Sequence, residues 1–116
     1  MEIKIIKSKI NSDELKKITK DNYGDMIKGV CDIKRKIIAL GGELHADAEA
    51  VLIDNGSISA DLWGFNIYPE KQKPEHIEFT SLINIKPALG SRSIEIKDPK
   101  IQKQIQSIIS LFVEGT

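Results

Sequence analysis

Cysteine is almost missing from this chain, with Cys31 the only one among 116 residues. An intramolecular disulfide is therefore excluded. Cys31 lies in an alternating apolar stretch with no histidine near it in sequence, so it reads as a small core residue rather than a nucleophile. A surplus of charge is missing too: 17 basic residues balance 17 acidic ones. Proteins that bind nucleic acid usually carry extra Lys and Arg to neutralise phosphates, so this balance argues against such a partner. That role would require Lys16, Lys17, Lys20, Lys34 and Arg35 to merge into one surface. Arginine is scarce, and Arg35 and Arg92 stand out against a background of lysine. No stretch approaches the roughly 20 apolar residues of a membrane-spanning helix. Residues 1–7 form neither a signal peptide nor a transit peptide. A cytoplasmic location without membrane contact is the expectation.

What is present suits one packed domain over residues 1–116. Hydrophobic residues make up 41% and charged residues 29% of the chain, as in ordinary globular proteins. The length is well above the roughly 40 residues below which a fold needs covalent or metal staples. Residues 2–6 read as a strand. A helix follows from Asn11, which can cap it, with Glu14 three residues later and Ile10 and Leu15 as an apolar staple; it ends near Asp21. Ile27, Gly29, Cys31 and Ile33 alternate as a strand does, Lys34-Arg35 turns the chain, and residues 36–40 return as a second strand. Gly41-Gly42 stops it.

A central helix is predicted over residues 44–55, closed by Gly56. Its core stripe is Leu44, Ala48, Val51 and Leu52, and its other side carries Ala46, Ala50 and Ile53. A helix apolar on two sides needs a second covering surface, which a homo-oligomer would supply. Residues 61–68 form a strand stopped by Pro69, and residues 77–85 the longest strand, with Ile77, Phe79, Ser81, Ile83 and Ile85 on one face. A loop spans residues 88–97. The last helix opens at Asp98-Pro99 and buries Ile101, Ile105, Ile108, Ile109 and Phe112. The order β-α-β-β-α-β-β-α with two hairpins predicts an α+β domain. Its most economical form is a mostly antiparallel sheet with helices packed on one face.

Three places suit chemistry. The first is Gly41 to Glu49, where two glycines precede a helix. That geometry suits an anion, but Glu43 and Asp47 would repel a phosphate and the P-loop lysine is absent. The same segment sets His45 and Glu49 four residues apart, able to share a hydrogen bond or a metal. A third metal ligand would have to come from His76 or Asp61, so no metal site is assigned. The second is Gly90-Ser91-Arg92-Ser93, a glycine, two hydroxyls and an arginine suited to a carboxylate or phosphate, or else an ordered loop whose arginine pairs with Glu43 or Asp47. The third is the set of polar residues within apolar strands, Asn66, Ser81 and Asn84, which either hold loops or line a pocket.

The segments from Gly42 to Glu49, Asn55 to Ser57, Asp61 to Pro69, Ile83 to Pro87 and Gly90 to Ser93 resemble a family of small prokaryotic proteins grouped as a domain of unknown function. The resemblance implies a stand-alone cytoplasmic domain from a bacterium or archaeon. It brings no activity, cofactor or catalytic residue. Two functions are compatible with these observations. One is a binding or interaction module, self-associating through the helix 44–55 and open to a small anionic ligand at Ser91, Arg92, Ser93, Asn84 and Asn66. The other is a small enzyme acting on an anionic molecule or a phosphodiester. In it His45 is the acid–base group, Asp47 or Glu49 orients it, and Arg92 stabilises charge. The second requires His45 and Arg92 to face one pocket.

Overall fold

A computed structural model, which describes residues 1–116, places the helices where their caps and periodicities predict them. α1 (Ser12–Lys20) is capped by Asn11, whose Oδ1 accepts from the Glu14 amide at 2.9 Å. Ile10 and Leu15 beside that cap are both buried. α2 (His45–Asp54) is closed by Gly56 at φ +105°, with the Ser57 amide donating to Leu52 O and the Gly56 amide to Ile53 O. That pair of bonds satisfies carbonyls that the helix end leaves open. α3 (Pro99–Phe112) starts on Asp98, whose Oδ1 accepts from the Lys100 amide, and it buries Ile105, Ile108 and Ile109. Each of those isoleucines contributes roughly 1.5–3 kcal/mol by leaving water.

Five strands, β1 (Ile3–Ile6), β2 (Ile27–Asp32), β3 (Ile37–Gly41), β4 (Leu62–Ile67) and β5 (Ile77–Glu78), form one antiparallel sheet in the order β1-β3-β2-β4-β5. The α+β class and the predicted element order both stand. The β2–β3 turn is held by Asp32, whose Oδ1 accepts from the Lys34 and Arg35 amides, each at 2.9 Å. Its Oδ2 accepts from Ser57 Oγ at 2.7 Å, so the buried carboxylate also ties the hairpin tip to the end of α2. An Asp accepting from the amides that follow it is itself a turn signal.

The helices do not share one face. α1 and α3 cover one side of the sheet, in a core containing Cys31, Leu40, Trp63, Phe65 and Ile67. α2 covers the other, against Val30, Ala39 and Leu62. The reason is in the strands: Leu62 to Ile67 is buried at every position, so both faces of β4 are covered rather than one.

Two further expectations change. The strand predicted over residues 77–85 stops at Glu78, and residues 82–84 and 87–89 are single turns of 3-10 helix. Ile77 and Phe79 pack with the α1/α3 core, whereas Ile83 packs with the α2 core. The segment therefore wraps around the edge of the sheet, and its alternating isoleucines divide between two cores. Leu44, predicted in the α2 stripe, is instead the extended residue before the helix and is 55% exposed. His45 takes the buried place, at 8% exposure.

Candidate functional site

Beyond the two residues of β5, the outer edge of β4 lacks a strand partner, and the side chain of Asn84 supplies one. Its Oδ1 accepts from the Gly64 amide at 2.8 Å, and its Nδ2 donates to Gly64 O at 3.1 Å and to Ile94 O at 3.2 Å. A carboxamide carries the same donor and acceptor as a peptide group, so it can extend the ladder. Gly64 permits the close approach, because a Cβ there would collide with Ser81. The chain then folds back on itself: the Lys86 amide donates to Ser91 O at 2.7 Å and the Ser91 amide to Lys86 O at 3.1 Å, with Gly90 between them at φ +79°. Ser91 Oγ donates to Asn84 O at 2.6 Å. Asn84 and Ser91 therefore hold the loop that carries Arg92.

That loop, β4 and the start of α3 line an open cavity of about 670 Å³. Trp63, Ile96 and Ile101 give it an apolar wall, and Ser91, Arg92, Ser93 and Lys97 a polar one; Glu95 and Asp98 also border it. The size falls in the range of small-molecule sites, roughly 300–1,000 Å³. Arg92 is exposed and has no acid within ion-pair distance, since the chain's one ion pair joins Lys4 to Glu2. The alternative reading of this loop, a pairing of the arginine with Glu43 or Asp47, is absent. The indole N–H of Trp63 is buried and has no acceptor. Lys86 lies 5.2 Å from the centre of the Trp63 ring. Ser93 Oγ accepts from the Glu95 amide at 3.1 Å, which leaves its own hydroxyl hydrogen free to donate.

The Gly41–Glu49 segment is built differently. A Cβ on Gly41, at φ +108°, would collide with the Glu2 carbonyl where β1 pairs with β3. The Gly42 amide donates to Asn22 Oδ1 at 3.1 Å, and Tyr23 OH donates to Glu43 O at 2.6 Å. The glycines serve strand pairing, and the Gly42 amide is already bonded. Asp47 accepts from the Leu44 amide at 3.1 Å and so caps α2. His45 Nε2 donates to Phe65 O at 2.9 Å; a carbonyl only accepts, so the ring proton sits on that nitrogen. Burial pushes the imidazole pKa down, against the opposing pull of this bond.

Glu49 does not join His45. It borders a second cavity of about 450 Å³ with Lys86, Ile83 and Leu89. Burial there pushes the Lys86 pKa down, opposed by Glu49 and Asp61. Asn66 lies near His45; its Nδ2 donates to Glu78 Oε1 at 2.8 Å and its Oδ1 is buried without a donor.

The sequence-predicted residues thus separate. Arg92, Ser91 and Ser93 share the large cavity on the α3 side of the sheet, and Asn84 braces it from behind. His45 and Asn66 lie on the α2 side. His45 and Arg92 do not face one pocket. Trp63, a member of the α1/α3 core, joins the site because β4 passes beneath the loop; its place is set by the fold and carries no local signal. No three His, Cys, Asp or Glu side chains gather as metal ligands would. Burial pushes the Cys31 thiol pKa up, away from nucleophilic chemistry. The basic residues do not merge either: Arg35 is bonded to Ser57 and Asn55 at the Asp32 end of β2, while Lys16 lies beside Pro69, beyond the Ile27 end.

A family model described as a protein of unknown function (DUF5674) matches residues 4–112. No curated protein and no solved structure matches the chain.

Proposed function

The chain belongs to DUF5674, and we propose that it is a binding module for a small molecule that joins a carboxylate or phosphate to an apolar or planar part. The observation that carries this reading is Arg92, a guanidinium with no acid partner, at the rim of a cavity whose wall includes Trp63. A guanidinium offers paired donors to an oxyanion. Ser93 and Lys97 add donors, and Ile96 and Ile101 suit the rest of the ligand. No residue of the cavity stands as a nucleophile next to a base, so the reading stops at binding.

Trp63 is the only tryptophan, which makes its emission a direct reporter. Titration with a panel of carboxylate and phosphate compounds should give a saturable change for at least one class, lost in R92A and weakened in R92K. A flat response to every class, or an unchanged titration in R92A, would overturn the reading. The supposed enzyme acting through His45 and Arg92 together lacks support, because the sheet separates them.

Self-association is a second reading, favoured by one observation. Ile53 on α2 and Ile58, Leu82 and Leu89 in the segments that follow are 43%, 60%, 78% and 56% exposed. A second copy of the chain would cover these side chains. The compartment proposed is the cytoplasm, consistent with a lone, free and buried cysteine and with no helix long and apolar enough to cross a membrane.

A further inference from the structure

His76 is a buried histidine, 7% exposed, with both of its ring nitrogens unpartnered. An imidazole always carries at least one N–H donor, and leaving such a group unpaired in the interior costs about 1–3 kcal/mol. Such an orphan calls for an explanation. His76 borders a cavity of about 160 Å³ between the first turn of α1, the end of β4 and the turn that follows α3. Lys16, Lys71 and Lys73 line the same space, with Lys71 Nζ 4.0 Å from the centre of the Tyr68 ring, and Glu114 is the one lining residue with an acidic side chain. None of these lysines has a carboxylate within ion-pair distance.

We propose that this cavity is an oxyanion site for a group of phosphate size, free or as a phosphate monoester, in which His76 donates a hydrogen bond and the lysines supply charge. The volume of about 160 Å³ suits one tetrahedral anion. The lysines oppose a metal cation, and a single imidazole would not hold one. The site is separate from the Trp63 cavity and shares no wall residue with it.

The test is NMR of the histidine ring protons in the full chain, titrated with inorganic phosphate at constant ionic strength. The chain has two histidines, so His45 serves as the internal reference. The expected result is a saturable movement of the His76 signal, with a Kd on the order of 1 mM, while the His45 signal and Trp63 emission stay fixed. Binding should weaken about tenfold when Lys71 and Lys73 are both replaced by alanine, through loss of charge-assisted bonds, and should tighten in E114Q. The variants keep His76, so its resolved signal also reports that they fold. A His76 signal that ignores phosphate would overturn the proposal, as would one that follows chloride equally or shifts to the same degree in the double lysine variant. Movement of Trp63 emission alone would support the other cavity and overturn this one.

Discussion

His45 shows how one side chain can look catalytic in sequence and be structural in place. Its ring fills the position under α2 where an apolar residue was expected, and its one assigned proton points at Phe65 O. The fold favours the neutral ring, so its folded-state pKa lies below the unfolded value of about 6.5. The sign follows from linkage. Above about pH 6.5 both states are neutral and the group leaves stability unchanged. As pH falls below it, the unfolded chain takes up the proton first, so stability declines until the folded pKa is reached. The slope from this one group stays below about 1.4 kcal/mol per pH unit. H45Q keeps a donor for Phe65 O and has no such titration. Urea unfolding from pH 7.5 down to pH 5 should therefore show a decline in the wild type that is flatter in H45Q. His76 is present in both proteins and cancels in the comparison. Equal slopes would mean that His45 is not held neutral.

At the scale of elements, the segment after β5 decides whether the site exists. Asn84 replaces a missing strand by pairing with both backbone groups of Gly64 and holding Ile94 O. N84A removes those partners from buried groups and should destabilise the chain by about 3 kcal/mol, with a red shift of Trp63 emission as the loop loosens. N84D sets a buried carboxylate oxygen against the Gly64 and Ile94 carbonyls and should cost at least as much as N84A at neutral pH. Equal midpoints in chemical denaturation would show that the clamp is dispensable. The same segment marks where sequence reading ends. Asn11, Asp98 and Gly56 act within a few residues of themselves, so the helices they bound were legible. The alternation from Ile77 to Ile85 imitates a strand, yet strand formation depends on a partner that is far away in sequence, and here a side chain takes its place. Arg92 was legible because it is rare in a lysine-rich chain. Trp63 and His76 were not, because their cavities form only when β4 meets α1, α3 and the loops.

At the scale of the whole molecule, the two faces of the sheet are covered unequally. Two helices lie on one side and a single helix on the other. The radius of gyration is 12.8 Å, close to the roughly 13 Å of a packed domain of this size, so the apolar surface left outside does not reflect loose packing. Leu89, one of the exposed residues Ile53, Ile58, Leu82 and Leu89, borders a cavity that also bears both Glu49 and Lys86. A two-fold interface must be complementary to itself, and a patch with one acid and one base meets that need: Glu49 of one copy can face Lys86 of the other. Leu82 is 78% exposed, so L82D costs the isolated chain little in packing but places a charge where the copies would meet. Sedimentation at tens of micromolar should give twice the 12.9 kDa chain mass for the wild type and the single mass for L82D, with matching circular dichroism. A wild type that sediments at the single mass would remove the interface. A dimer that survives L82D would place it on another face.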